Sequence, residues 1–458
     1  MNHNASSRSA NAWQSLTLRE AGVSLLDCVH KTPVAAPFGY PYIAIPQIKN
    51  GRIELSDVRR ISESDFEEWT RKTKPCAFDV VLSRRCNPGE TAHVPEGLEC
   101  ALGQNLVLLR SDGSKVYQPF LRWLVRGPEW WEQIGRFLNV GAVFDSLKCA
   151  NIPNFRLSIP PHREQERIAD ILGTLDDKIA LNWRMNETLE AMARRLFKSW
   201  FVNFDPVHAK AALRRQHPKL SNAELSRRAL PNLDPKIAEL FPDSFEDSPL
   251  GPIPKGWRFQ TIGDQVSLQR GKTYKSALKD QSGPVLLGLA SIERNGGFRR
   301  AKLTTYGGDS PDVLLVYPDE LYVSLKDVTQ SADLLGAVAR LPSDITVGRL
   351  TQDTVKLIFQ NATASREILY RTLLTHDYRD YCRNHATGTT NLGLSREDFL
   401  AYPIICPTED ITAFYELMSS TMRVQCAAFD SEMKQVETLR DKLLPRLLSG
   451  ELSVEEVV

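Results

Sequence analysis

The sequence predicts an α+β fold: two tandem α+β domains, separated by two long helices that pack as an antiparallel coiled coil with pseudo-twofold symmetry. The first observation is an internal repeat, whose second copy lies 247 residues after the first. Equivalent residues are Gly141 and Gly388, Leu147 and Leu394, Pro160 and Pro407, Leu175 and Met422, Leu189 and Val436, and Leu196 and Leu443. The second observation is a heptad-like apolar seam in each copy. A repeat of such long period indicates a duplicated module and not a solenoid.

Changes in composition and the positions of Pro and Gly divide the chain into six segments. The predicted boundaries are 1–15 for a disordered or extended N-terminus, 16–160 for the first domain, 161–204 for the first long helix, 205–256 for a connector with a basic stretch, 257–403 for the second domain and 404–458 for the second long helix. Short apolar runs between Gly and Pro, such as 78–82, indicate strands in the two domains. Pro160 and Pro161 end a strand and favour a helix start.

The two domains echo one another locally. Val23-Ser24-Leu25 recurs as Val266-Ser267-Leu268, and the apolar run that ends at Ser83 recurs as the run that ends at Ser324. We therefore expect equivalent strands in the two copies.

Each copy continues into a long helix whose apolar residues alternate at spacings of four and three. The predicted packing residues are Ile171, Leu175, Met185, Leu189 and Leu196 in the first helix, and Met418, Met422, Phe429, Val436 and Leu443 in the second. Polar residues interrupt both seams, and polar residues at such positions commonly set register at a cost in stability. Because the sequence has only two such helices, each is expected to pack on the other.

Overall composition is that of a globular protein. The chain has 458 residues, of which 42% are hydrophobic and 25% charged, and its net charge is +1. Its eight cysteines show no C-x-x-C spacing, so neither a zinc site nor a disulfide framework is indicated and we expect no metal. Residues 1–12 are polar, and no apolar run is long enough for a membrane span. The sequence predicts a cytoplasmic protein without membrane contact.

Charge is uneven along the connector. Residues 208–230 contain six Lys or Arg and the single acid Glu224. Such an excess is compatible with a solvated linker helix. It is equally compatible with phosphate contacts, which act within a Debye length of about 8 Å.

Enzyme motifs are missing from the sequence. Gly271-Lys272-Thr273 lacks the earlier glycine of a phosphate-binding loop, because Val266 stands at that position. Asn87-Pro88-Gly89-Glu90 is the string nearest to a base-gripping methyltransferase tetrad and lacks its second proline and aromatic ring. We therefore expect neither catalysis nor a cofactor.

Polar side chains on Gly-marked loops are the candidate functional residues. Arg and Lys can contact guanine or phosphate, and Asn and Gln can contact adenine. The predicted DNA-binding residues are Lys49, Arg52, Arg84, Arg85, Lys272, Tyr274, Lys275, Arg294, Arg299, Thr389, Thr390 and Asn391. Any one of them could equally serve surface solubility.

The chain resembles the specificity subunits of type I restriction-modification systems. The resemblance is carried by IPPHREQERIADILGTL at 159–175, LFKSWF at 196–201, LGPIPKGW at 250–257 and LLPRLLSGE at 443–451. The order of domains also matches almost throughout. The second helix departs from the pattern, because Pro407-Thr408-Glu409-Asp410-Ile411 lacks the P-x-x-E-Q-x-x-I string of 161–168.

The resemblance implies a non-catalytic DNA-binding subunit. In that family two target recognition domains each read one half of a split double-stranded DNA sequence. The two helices act as a spacer and dock modification (methyltransferase) subunits, expected to be two here, and restriction endonuclease subunits join them. Two alternatives stay open: a coiled-coil scaffold without DNA contact, and the recognition part of a fused methyltransferase or restriction enzyme.

Overall fold

The computed structural model describes residues 13–140, 145–361, 364–389 and 391–456. They form two compact units. The first unit contains the chain up to Trp183 and again from Ser431, and the second unit is Arg184–Asp430.

The first unit is a mixed α/β domain joined to parts of both long helices. Its strands are β1 Gln14–Thr17, β2 Val23–Asp27, β3 Tyr40–Ile43, β4 Ile48–Lys49, β5 Arg52–Ile53, β6 Arg59–Ile61, β7 Val80–Ser83, β8 Thr91–His93, β9 Ala101–Leu102, β10 Leu106–Ser111 and β11 Arg156–Ile159. Its helices are α1 Glu63–Thr70, α2 Leu121–Leu124, α3 Pro128–Phe137, the first part of α4 His162–Phe197 and the last part of α12 Glu409–Leu448.

The second unit contains three connector helices and a second mixed domain. Its helices are the rest of α4, α5 Asp205–Gln216, α6 Asn222–Ala229, α7 Pro235–Leu240, α8 Ile262–Gln265, α9 Arg366–Thr372, α10 His376–Asn384, α11 Arg396–Ala401 and the first part of α12 Glu409–Leu448. Its strands are β12 Phe245–Ser248, β13 Gly251–Pro254, β14 Arg258–Thr261, β15 Val266–Arg270, β16 Val285–Leu287, β17 Leu315–Val316, β18 Leu321–Ser324, β19 Lys326–Asp327, β20 Val338–Arg340, β21 Gly348–Leu350, β22 Thr354–Phe359, β23 Leu392–Gly393 and β24 Pro403–Cys406.

Each unit is built on a four-stranded antiparallel sheet of the same topology. The strand orders are β2-β10-β7-β8 and β15-β22-β18-β20, so that the first and last strands in sequence lie side by side in both. A parallel pair also recurs, β3 with β9 and β16 with β21. The predicted equivalence of the strands that begin at Val23 and Val266, and of those that end at Ser83 and Ser324, is confirmed.

Local sequence explains where several helices begin. Ser62, Ser365, Thr375 and Ser395 lie just before α1, α9, α10 and α11, and each side-chain oxygen accepts a hydrogen bond from a backbone N–H of the first turn. Such caps satisfy amides that would otherwise lack a partner. In α4 the last helical residue, Phe197, is followed by a π-helical turn, Lys198–Val202.

The ends of the long helices are packed in hydrophobic cores. In the first unit, Leu172 and Leu447 are fully buried together with Trp123, Trp130 and Phe155. In the second unit, an aromatic cluster contains Phe197, Trp200, Phe201, Tyr415 and Trp257. These clusters hold each domain to its part of the helix pair.

Within each unit, the two long helices also contact one another through polar side chains. In the first unit, Asn182 Nδ2 donates to Glu432 Oε2 at 2.8 Å and Lys178 Nζ lies 3.1 Å from Glu432 Oε1. In the second unit, Asn186 Nδ2 donates to Asp430 Oδ1 at 2.7 Å. Within the first unit, Asp176 contacts Arg440 and Asn182 contacts Glu432, so residue numbers rise along α4 as they fall along α12 and the predicted antiparallel pairing is confirmed.

Most of the predicted packing residues are half-buried or lie at the borders of the hydrophobic clusters. Leu175, Leu189, Met422, Phe429 and Val436 are half-buried, while Ile171 and Leu443 border the core of the first unit, and Leu196 and Met418 border the aromatic cluster of the second.

Met185 is a correction to the predicted seam, because its side chain is 41% exposed. The inward position belongs to its neighbour Asn186, which makes the hydrogen bond to Asp430.

Candidate nucleic-acid interface

Four chain segments meet at one end of the four-stranded sheet in each unit. We call this place the loop end. In the first unit its segments are 28–32, 84–86, 103–105 and 145–147, and in the second unit 271–275, 325–327, 351–353 and 387–394 without residue 390. In each unit, the first three segments follow or precede strands of the same sheet, and the fourth is held to the second by a backbone hydrogen bond.

Backbone contacts join the segments of the first loop end. Arg84 N donates to Asn105 O, and Leu147 N donates to Arg84 O, both at 2.9 Å. The Gln104 side chain reaches across to the first segment, where its Nε2 donates to Thr32 Oγ1 at 3.0 Å. The four segments therefore form one continuous surface.

The second loop end shares two hydrogen bonds with the first. Leu394 N donates to Leu325 O at 3.0 Å, the equivalent of the Leu147 contact. Ser324 Oγ donates to the backbone of Lys326 at 2.6 Å, as Ser83 Oγ donates to that of Arg85 at 2.9 Å. Duplication has preserved the geometry of this surface, although most of its exposed side chains differ.

Most predicted DNA-binding residues lie at the two loop ends. Arg85, Lys272, Lys275, Thr389 and Asn391 are exposed there, whereas Arg84 and Tyr274 are half-buried. Thr390 lies outside the described residues.

The hairpin that contains Lys49 and Arg52 lies elsewhere. Arg52 Nη2 donates to the backbone oxygen of Asp176 at 2.6 Å and lies 3.2 Å from its carboxylate, so this guanidinium joins the hairpin to α4. Arg52 therefore has a structural partner on α4, and its contact with DNA stays a prediction. Lys49 is exposed and paired with Glu54.

Arg294 and Arg299 belong to a second separate hairpin. Both are exposed, and the hairpin is closed by a bridge between Ile292 and Phe298. It packs on α10, where Arg383 Nη2 donates to Asn295 Oδ1 at 2.9 Å. These two arginines do not join the segments of the loop end.

Sequence reasoning missed the residues that hold the loop-end segments in shape. Arg349 is only 3% exposed, and its guanidinium donates to the backbone oxygens of Lys272 and Thr273 at 3.5 and 3.2 Å. Tyr306 accepts a hydrogen bond from Lys275 N and lies beneath the Arg349 guanidinium. No local pattern marks such a side chain, because its targets lie about 75 residues away in the chain.

In the first unit, other side chains fix the segment that follows β2. Tyr42 Oη and Trp69 Nε1 both donate to Lys31 O at 3.0 Å. The loops that follow β2 and β15 end at Gly39 and Gly283, whose φ angles are 122° and 154°. A side chain at either position would collide with the backbone of a neighbouring segment. Both loops are therefore pre-ordered, which lowers the entropy cost of binding.

The basic connector is partly structural. Lys210 is fully buried and donates to Asn222 Oδ1, Ala238 O and Phe241 O, and burial lowers its pKa to about 8. Arg214 pairs with Asp243 at 2.7 Å. Four of the six cations, Arg215, Lys219, Arg227 and Arg228, remain exposed.

Asp27, Cys28 and His30 form a three-residue group whose potential ligand atoms lie close together. The Cys28 thiol donates to the backbone oxygens of Gly103 and Leu106. Burial raises its pKa to about 11. A metal ion binds the thiolate and not the thiol, so this group is poorly suited to hold one.

Comparisons with known proteins agree with this architecture. The family model of the type I restriction modification DNA specificity domain matches residues 30–191. The HindI specificity subunit of Haemophilus influenzae is 28% identical over 334 residues, which cover 68% of this chain and 72% of that subunit. The MjaIX specificity subunit of Methanocaldococcus jannaschii is 23% identical over 406 residues, 87% of this chain and 83% of that subunit.

A solved structure has the same fold. The S subunit of the type I restriction-modification system of M. genitalium matches with a TM-score of 0.51 and 14% identity, over 98% of this chain and 97% of that one. Within the described ranges, no helix has the length and hydropathy that a bilayer crossing requires.

The repeated sheets and paired long helices define an α+β subunit built from a duplicated module. In sequence, the chain is similar to specificity subunits of type I restriction-modification systems over two thirds or more of its length, and its residues 30–191 match the family model of the DNA specificity domain.

Proposed function

We propose that this chain is the sequence-specific DNA-binding subunit of a type I restriction-modification complex and reads a bipartite target with its two loop ends. The observation that carries the proposal is the recurrence of the same four-segment surface in both copies with different exposed side chains. Two copies that read different half-sites need one framework and two sets of contacts.

The chemistry of the second loop end suits a nucleic acid. Lys272 and Lys275 are exposed on a loop fixed by Arg349, and Lys279 and Lys302 line a concave surface together with Tyr274. Cations can hold phosphates, while amides and hydroxyls can contact base edges. The phosphate contacts would supply affinity, and the base contacts would supply sequence selection.

The remaining segments have supporting roles in this proposal. Residues 16–160 and 257–403 are the two target recognition domains, and 161–204 with 404–458 form the spacer between them. In the second unit, α4 exposes Met185 and Met192, two turns apart. We propose them as part of the surface on which a modification subunit docks, because apolar contacts commonly form the centre of such interfaces.

The complex contains modification subunits, two in this proposal, and restriction endonuclease subunits. The chain supplies recognition, and its partners supply S-adenosylmethionine-dependent methylation and cleavage. In this proposal the chain recognises double-stranded DNA in the cytoplasm.

Selection of binding sites tests the proposal directly. The full chain, purified with its modification subunits, is offered a pool of random duplexes, and bound sequences are read out. We expect a bipartite motif. Replacing 257–403 by the matching domain of a relative should change one half-site and leave the other intact.

Affinity measurements test the placement of the surface. Lys272→Ala/Lys275→Ala should weaken binding to all sequences by roughly tenfold or more, since each phosphate contact contributes electrostatic affinity. The control Lys236→Ala/Lys255→Ala removes two exposed cations elsewhere and should leave affinity unchanged. Equal effects of the two double variants, or no motif in the selection, would contradict the proposal. A scaffold without DNA contact predicts no effect of either.

A further inference from the structure

The two loop ends share one exposed side chain at an equivalent position. Gln104 and Gln352 each begin the turn that precedes the last strand of the four-stranded sheet. The turn has the same hydrogen bond in both copies, Leu106 N to Gly103 O at 3.3 Å and Thr354 N to Thr351 O at 3.2 Å. Both glutamines are exposed.

The turn itself does not require glutamine. Its hydrogen bond joins backbone atoms, and the residues on either side have changed between the copies: Gly103 corresponds to Thr351, and Asn105 to Asp353. The glutamine is therefore the side chain that stays the same where its neighbours do not. Because both side chains are exposed, packing does not explain this.

The surroundings of both glutamines favour a nucleic acid. Gln104 lies between Thr32, to which its amide donates, and the turn of Arg84, whose N–H donates to the adjacent Asn105. In the second unit, Gln352 lines the concave surface with Tyr274 and Lys279. Among the described residues, no hydrogen bond engages the Gln352 amide, which leaves both its donor and its acceptor available.

We propose that Gln104 and Gln352 are equivalent base-reading residues, each of which contacts the major-groove edge of an adenine. The carboxamide oxygen can accept from the adenine N6 amino group while Nε2 donates to N7. This inference rests on the proposed DNA recognition and goes beyond it. It means that the two half-sites share an adenine at corresponding positions and differ at positions read by the surrounding side chains.

Selection from random duplexes with the complex of full chain and modification subunits tests the inference. Gln104→Ala should relax one adenine position in one half-site, and Gln352→Ala the corresponding position in the other. Discrimination at that position should fall by roughly 5- to 150-fold. Gln216→Ala, which removes an exposed glutamine at the end of α5, is the matched control and should leave the motif unchanged.

A charge-changing variant makes the test sharper. Gln352→Glu has a similar shape but only acceptor atoms, and a carboxylate can accept from the cytosine N4 amino group. We expect the preferred base at that one position to change from adenine to cytosine. Such a switch cannot arise from a loss of folding, which would weaken every position alike.

The possible outcomes separate this inference from the proposed function. An unchanged motif in either alanine variant, or relaxation at a position that is not adenine in the wild type, would overturn the equivalence of the two glutamines. A wild-type complex that selects no motif would instead overturn the proposed function.

Discussion

Replacing Glu367 by glutamine should destabilise the second unit by about 3–5 kcal/mol, because it breaks a buried ion cluster by removing the shared acid. The Glu367 side chain is 0% exposed. Its oxygens lie 2.7 Å from Arg340 Nη2, 2.7 Å from Arg371 Nε and 2.5 Å from Arg423 Nη1. Arg423 belongs to α12 and Glu367 to α9, so the cluster joins the second domain to a long helix.

The magnitude follows from what the substitution leaves behind. Glutamine keeps the shape of glutamate but loses its charge, so three guanidinium groups lose the buried acid that they share. Among the described acids, Arg340 and Arg423 keep only the partly exposed Asp319, 3.2 and 3.6 Å away. Arg371 keeps a partner in Glu190, 3.0 Å away, whose side chain is 47% exposed. The matched control is therefore Glu190→Gln, which removes a partly solvated acid and should cost only about 0–1 kcal/mol.

The effect depends on pH in a defined direction. Burial alone would raise the pKa of Glu367, but Arg340, Arg371 and Arg423 lower it below the ordinary value of 4.5. Since the folded-state pKa is the lower one, the stabilisation by the carboxylate is fully present above pH 4.5 and is lost as the pH falls through the folded-state pKa. The difference between wild type and Glu367→Gln should shrink over that same interval.

Urea unfolding of the full chain, followed by tryptophan fluorescence, measures both effects. At neutral pH the midpoint should fall clearly for Glu367→Gln and little for Glu190→Gln. Equal losses in the two variants, or a difference that grows in acid, would refute the reasoning from buried charge.

Three further predictions concern the first unit. Asp176→Asn should lower the free energy of unfolding in urea by about 3–5 kcal/mol, because the buried Asp176 carboxylate joins Arg52 and Arg440. The control Asp177→Asn changes an exposed neighbour and should change that free energy by no more than about 0.5 kcal/mol. Gln165→Ala should cost about 1–3 kcal/mol in the same assay, since the buried Gln165 amide makes three hydrogen bonds to backbone atoms. His93 should titrate in NMR spectra with a pKa of about 4, lowered by burial and by Arg122, so that its contribution to stability is lost as the pH falls from 6.5 towards 4.

The sequence was sufficient to predict the long helices and the duplicated strands. A proline pair precedes α4, and a mostly apolar spacing of three and four runs from Ile171 to Leu196, so a local pattern predicted the helix. The strands that end at Ser83 and Ser324 were recognisable because each is a short apolar run that ends in the same residue. In both copies that serine makes the same hydrogen bond to the backbone two residues on.

The loop ends could be predicted only in part, because they depend on contacts between distant segments. Arg84 and Lys272 were found as basic residues near glycine or strand ends. Gln104 and Gln352 were missed, since a single amide in a turn has no distinctive pattern. Their equivalence appears once the register of the two sheets aligns the turns before β10 and β22.

The buried face of the helix pair explains why an apolar pattern led to an incorrect position for one seam residue. Asp176 and Asn182 are 4% and 1% exposed, and both contact α12. A pattern of apolar residues passes over such side chains, and it assigns an exposed methionine such as Met185 to the inside. Buried polar pairs add little net stability compared with apolar packing, but a shifted register would leave each of them without a partner. The pairs of Asp176 with Arg440 and of Asn182 with Glu432 therefore fix how far α4 can slide along α12 within the first unit.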